Sequence, residues 1–180
     1  MIDGGLFTRN FLMEGIAATL QWAALNDSRA ANMRSAVEAL FASLAALKNP
    51  GEAVTEKDLV YPVLKAIGWG DLVFVQPNAS VKGRKDVPDA LLFADESALA
   101  KARHESDDWK HFQHGLCVVE AKRWNRVVDR EDKTARAEEG VPSTQMLRYL
   151  RRADDVTWGA LGCGRRCTSS TWTCRNRMRH

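Results

Sequence analysis

Glu120 and Lys122 stand one residue apart at the end of an apolar run, LCVVEA over 116–121. In an extended strand, residues two apart share a face, so Val118, Glu120 and Lys122 point one way and Cys117, Val119 and Ala121 the other. A carboxylate and an ammonium group at that position are costly unless they are paired or used. A second acid, Asp89, follows Pro88 directly and precedes the apolar ALLFA of 90–94. If those two strands pair antiparallel, Asp89 at the entrance of one meets Glu120 near the end of the other. Two close carboxylates repel unless a cation sits between them. Mg2+ commonly takes one or two carboxylates together with water and phosphate oxygens. Asp89, Glu120 and the Ala121 backbone carbonyl would make such a partial shell, with Mn2+ as a substitute ion. Lys122 beside it would orient or help deprotonate an attacking water and stabilise charge developing on phosphorus. The chemistry expected is hydrolysis of a phosphodiester.

Taken alone the acid-x-Lys spacing is weak, because it recurs at Asp108-Trp109-Lys110 and Glu131-Asp132-Lys133. Those two lie in charged stretches that read as solvated surface. Only Glu120-Ala121-Lys122 ends an apolar strand. Pro88-Asp89 is also a common turn pair. Arg84, Lys85, Arg123 and Arg126 flank the acids in sequence and are candidates for nucleic-acid phosphates, with solvated surface cations as the equal alternative. His111 and His114, three apart, have no third ligand nearby and read as exposed histidines. Trp69, Trp124 and Trp158 each lie at the end of an element and are expected to pack, with base stacking as the alternative for Trp124 beside the site.

The elements that must position these residues follow from periodicity. Asn10 to about Leu25 reads as a helix, with Leu12, Ile16 and Leu20 four apart, and Val37, Leu40, Phe41, Leu44 and Leu47 mark a second. Both stripes are expected to pack helix on helix. NDS at 26–28 separates them and can cap the second. Thr55 reads as the N-cap of a third helix, in which Pro62 is expected to make a kink and which Gly68 stops. LVFVQ (72–76), ALLFA and LCVVEA read as strands, and DVTWGAL (155–161) as a fourth. The charged stretch from Asp95 to Gln113 reads as a solvent-facing insertion, and 125–141 as a mobile loop. PSTQMLRYLRRAD (142–154) reads as a helix capped by Ser143 or Thr144. The expectation is an α/β fold: an αβββαβ core with a mixed four-stranded sheet flanked by helices, preceded by two N-terminal helices. The units expected are a helical segment 1–50, the core 51–162 and a tail 163–180.

At 45% apolar and 27% charged residues, the 180-residue chain reads as an ordinary soluble protein. It has no secretory leader pattern and no apolar stretch of the ~20 residues that a membrane helix needs, so a cytoplasmic protein is expected. The net charge of +3 arises in the tail, where 165–180 carries five arginines and no acid. Residues 1–164 hold 21 Lys and Arg against 23 Asp and Glu. Net charge therefore does not argue for nucleic acid, and any DNA contact must come from local patches. Cys163, Cys167, Cys174 and His180 fit no compact zinc module, and the tail reads as an Arg/Ser/Thr/Cys-rich end.

Pro88-Asp89 with Glu120-Ala121-Lys122 on an αβββαβ order resembles the PD-(D/E)XK nuclease superfamily. The resemblance implies that Glu56, on the helix before the first core strand, supplies a further acid. It also implies that Gln145 and Tyr149 are the Q-x-x-x-Y pair of the branch similar to the RecB nuclease; at i, i+4 they share a helix face. NFLMEGI, TEKDLVYPVLKAIGW, GRKDVPDALLFAD, VVEAKRW and PSTQMLRYLRRADDVTWGAL look like the N-terminal region of bacterial restriction–modification polypeptides of type IIG. These fuse a nuclease to an adenine-specific DNA methyltransferase, and the likeness covers about residues 10–161. What this implies is an Mg2+-dependent endonuclease domain acting on double-stranded DNA in a restriction or phage-defence system, with a methyltransferase and specificity region downstream and a homodimer during cleavage. The pattern stops after GAL, and residues from about 162 onward read as a frameshifted or truncated end. The other reading is a non-catalytic DNA-binding or assembly module on the same fold.

Overall fold

The computed structural model of the chain describes residues 10–80, 86–128, 131, 140–153, 155–163 and 173–176, with residues 12 and 173–176 described by backbone alone. Arg84, Lys85, most of the 125–141 loop, Cys167 and His180 lie outside the described residues. Five strands make one mixed sheet in chain order: β1 (Val73–Val75), β2 (Ala90–Leu92), β3 (Cys117–Lys122), β4 (Trp158–Cys163) and β5 (Thr173–Asn176). β1 and β3 both pair antiparallel with β2, β4 lies parallel to β3, and β5 returns antiparallel along β4. Up to β4 the element order is the expected αβββαβ. The tail then adds a strand where none was expected, and β4 runs on through a buried Cys163.

Every residue of β3 is buried, as a central strand covered on both faces requires. On one face Val60 and Leu64 cover Ala90, Leu92, Val119 and Ala121. Behind them the helix Asp27–Ala45 sets Leu44 against Leu59 and Val63. On the other face, Met146, Tyr149 and Leu150 of the helix Pro142–Arg152 join Leu91, Phe93, Val118 and Leu161. That helix can lie close to β4 because Gly159 has no side chain; a Cβ there would meet Met146 Sδ at 2.7 Å and Leu150 Cδ1 at 3.0 Å. No helix among the described residues is long and apolar enough to cross a membrane.

Four local expectations are corrected. The 10–25 stripe is not one helix packed on another. Its turns Phe11–Gly15 and Ile16–Ala18 end at Thr19, whose extended backbone and hydroxyl, accepting from the Trp22 N–H, start the separate turn Leu20–Ala23. A cap resets the phase of a helix, so four-residue spacing across it no longer marks one face; Leu20 is 85% exposed. Thr55 does not cap the third helix, which starts at Glu52; its buried hydroxyl donates to the Gly51 carbonyl at 2.9 Å. The insertion is not merely solvent-facing: Leu99 and Ala102 of Glu96–His104, and His111 and Phe112 of Asp108–His114, are buried, and His111 lies 4.8 Å from the Phe74 ring. Neither Ser143 nor Thr144 caps Pro142–Arg152; buried Pro142 opens it, needing no donor partner in the first turn.

Candidate functional site

Strand alternation puts Glu120 and Lys122 on the face that carries Val118, toward the helix Pro142–Arg152. Glu120 is 3% exposed, and Lys122 Nζ donates to its Oε1 at 2.6 Å. The same ammonium reaches Glu52 Oε1 at 3.3 Å. The other oxygen, Glu120 Oε2, is buried with no hydrogen-bond partner among the described residues. Ala90 pairs with Val119, so Asp89 lies level with Glu120 across the β2–β3 ladder. Its Oδ2 accepts from the Ala121 N–H at 2.6 Å. The two acids therefore converge as the antiparallel expectation required. Ala121, whose carbonyl is the expected third ligand, also holds Asp89 through its N–H.

Glu56 joins this group through Tyr61. The Tyr61 hydroxyl lies in hydrogen-bond contact with Glu56 Oε1 and within 3.1 Å of the Asp89 carbonyl oxygen. Tyr61 stands five positions after Glu56, a spacing that an ordinary helix does not align. Here Glu56–Val60 forms a π turn, and Tyr61 begins a regular turn with Pro62 at its start. Pro62 has no N–H for the usual ladder, and i→i+5 bonding locally replaces it. The run changes register just before the expected kink, which brings Tyr61 round to Glu56.

Gln145 and Tyr149 are linked as expected for a shared face: Gln145 Nε2 donates to the Tyr149 hydroxyl at 2.6 Å. That hydroxyl lies 3.5 Å from the Val87 carbonyl, two residues before Asp89. Gln145 and Lys122 line one cavity of about 520 Å3 together with Glu52, Arg126, Thr144 and Arg148. Asp89 and Glu120 are not on its wall. Glu120 lies behind the Lys122 amine. Of the expected phosphate contacts, Arg126 is no surface cation; it is 2% exposed and donates through Nη2 to the Gly140 carbonyl at 2.6 Å. Arg123 is half-buried, and Trp124 packs on Phe41 as expected.

The electrostatics follow from this crowding. Burial is the main cause that pushes Asp89 up to about 6; the Ala121 N–H opposes it, and the charges of Glu56 and Glu52 add to it. Burial also pushes Glu120 up to about 7, against Lys122 and with help from Asp89. Burial disfavours the Lys122 ammonium, yet Glu120, Glu52 and Asp89 together raise its pKa above the ordinary value. Burial and the Glu120 charge likewise raise Tyr149. Glu120, Glu52 and Asp89 thus share one lysine.

Among the described residues no group of three or more His, Cys, Asp or Glu side chains is arranged to hold a metal ion unaided. The fit to Mg2+ rests on less: Asp89, the unpartnered Glu120 Oε2 and surplus negative charge, with the remaining ligand positions left for water and phosphate. Those residues suit a hard divalent cation. Sequence reasoning missed Glu52 and Tyr61. Glu52 was findable, four residues before Glu56 on the same helical run; Tyr61 depended on the π turn. Comparison of the chain with family models, curated proteins and solved structures returns no match, so the site stands on its own geometry.

Proposed function

We propose that the chain is an Mg2+-dependent endonuclease domain, of PD-(D/E)XK type, that hydrolyses phosphodiester bonds of double-stranded DNA. The observation that carries this reading is the buried Glu120 Oε2, unpartnered among the described residues, on a strand position level with Asp89 and with Lys122 on its other oxygen. In this reading Asp89 and Glu120 hold the ion, and the Ala121 N–H and Tyr61 keep Asp89 in place. Bound Mg2+ would supply Lewis-acid polarisation of a phosphate oxygen and a more acidic water; Mn2+ would substitute. Lys122 lines the cavity, and with Asp89 and Glu120 neutralised by a cation its ammonium would be free to donate to the phosphate and stabilise the charge that builds up on it. Gln145 positions the attacking water or a phosphate oxygen from the same wall, with Tyr149 holding its amide. Arg148, also on that wall and half exposed, offers the DNA backbone positive charge. The setting proposed is a restriction–modification or phage-defence enzyme with a methyltransferase region further along, acting as a dimer when both strands are cut.

Supercoiled plasmid incubated with the chain and Mg2+ should be nicked, and EDTA should abolish nicking. Glu120→Ala and Lys122→Ala should each lower the rate by at least about 100-fold, in line with the loss of a charge-stabilising group. A second reading, a non-catalytic DNA-binding or assembly module, draws on the ion pairs that already engage Lys122 with Glu120 and Glu52. Folded protein that binds DNA but never nicks it with Mg2+ or Mn2+ would sink the nuclease reading and favour the module.

A further inference from the structure

Three residues before Asp89 stands another buried acid that no step above uses. Asp86 is 3% exposed and sits between three parts of the chain. Its Oδ1 meets Arg148 Nε at 3.0 Å and its Oδ2 meets Arg152 Nη1 at 2.9 Å. Those arginines are four apart on the helix that carries Gln145 and Tyr149, so both project from one face. Ser80 closes the remaining side: the Asp86 N–H donates to its Oγ at 3.0 Å, and that hydroxyl donates to Oδ2 at 3.3 Å. The Asp86 carbonyl accepts from the Ala79 N–H at 2.8 Å. Side chain, N–H and carbonyl are thus all engaged. Immediately downstream, the Val87 carbonyl lies beside the Tyr149 hydroxyl and Pro88 is fully buried, so little slack separates this clamp from Asp89.

We propose that Asp86 is a positioning residue: clamped by Arg148 and Arg152, it sets how Asp89 approaches Ala121 and Glu120, and so tunes divalent-ion binding by the carboxylate pair. The inference rests on the nuclease reading for the role of the ion, but its mechanical part does not. The clamp fixes the lead-in to β2 against the Gln145–Tyr149 helix, as outer partners of metal ligands do when they orient the inner ones.

Two readouts keep those parts separate. The first is metal-free: hydrogen exchange of the Ala121 amide, which donates to Asp89 at 2.6 Å. In Asp86→Asn this amide should lose protection, whereas that of Val119, two residues earlier on β3, should keep it. The second is Mn2+ binding followed by electron paramagnetic resonance, with Mg2+ dependence of nicking alongside. Asp86→Asn should weaken Mn2+ about 10-fold, the low end for loss of an outer partner, and raise the Mg2+ needed for half-maximal nicking by a similar factor. Should Asp86→Asn not fold, Arg152→Gln leaves Arg148 on the carboxylate and should move both readouts in the same direction by less. Unchanged Ala121 protection together with wild-type Mn2+ affinity in a folded variant overturns the proposal, even if melting temperature falls. Wild-type protein that neither binds Mn2+ nor nicks DNA condemns the nuclease reading, and Ala121 exchange then still decides the clamp.

Discussion

Asp86 and Glu120 are both about 3% exposed, and they are treated in opposite ways. Asp86 has a guanidinium on each oxygen and a serine hydroxyl besides. Glu120 has one lysine on one oxygen and nothing on the other. Buried charge is tolerated where every lone pair finds a donor, and each missing partner costs free energy. The Asp86 cluster is therefore complete by itself, a staple between helix and sheet. The Glu120 cluster is short of positive charge, since Asp89 and Glu52 draw on the same Lys122. One buried acid is compensated on both oxygens, whereas the other leaves Oε2 without a donor among the described residues.

The sharpest way to break that contrast is to remove the single cation. Lys122→Met keeps most of the side-chain volume and leaves Glu120 buried without a partner. Deleting one partner of a buried pair typically costs about 3–5 kcal/mol, and that cost should appear above pH 7, where Glu120 has to ionise. Below pH 6 the same variant should lose much less, because a protonated Glu120 needs no counter-charge. Urea unfolding at pH 5.5 and pH 8 measures both. Adding Glu120→Gln to Lys122→Met should recover most of the loss at pH 8. Equal losses at the two pH values would mean that Lys122 stabilises by packing alone, and the comparison with Asp86 would lose its point.

Much of the sheet could be read from the chain beforehand, and so could the meeting of Asp89 with Glu120. Short apolar runs bounded by turn residues are a local signal, and antiparallel alternation carries side-chain direction with it. What escaped depended on nonlocal or irregular geometry. Tyr61 reaches Glu56 only because Pro62 forces a π turn. Arg126 is charged yet buried, and the polar-looking 99–112 stretch is exposed at half its positions yet turns Leu99, Ala102, His111 and Phe112 to the core. The Asp86 clamp joins residues more than sixty positions apart, and no spacing rule announces such a contact.

A smaller effect sharpens the contrast through pH. The ordinary carboxylate range lies near 4, whereas folding lifts Asp89 to about 6 and Glu120 to about 7. The folded protein therefore holds protons that the unfolded chain has released. Stability from these groups is fully present below about pH 4, declines as pH rises through their folded values, and is gone above about pH 7. In EDTA the protein should be more stable at pH 5 than at pH 8 by about 1–3 kcal/mol from this pair, and Mg2+ at pH 8 should return part of it. The Asp89→Asn, Glu120→Gln double variant should flatten the dependence. Thermal melts in EDTA across this window, wild type beside the double variant, check the sign; a wild type that gains stability relative to the variant as pH rises overturns it.

The smallest effect is expected where an apolar stripe failed to become core. Leu20 is 85% exposed after the Thr19 break, whereas Leu91, Val118 and Phe93 are fully buried between helices and sheet. A leucine already in water has no burial to lose, so Leu20→Ser should change unfolding free energy by less than about 0.5 kcal/mol. Leu91→Ala, which would empty space beside Val118 at the root of the Glu120 strand, should cost about 2–5 kcal/mol. Parallel urea titrations of the two variants decide it. A large loss at Leu20 would mean that the N-terminal turns are covered after all, by a surface the described residues do not contain.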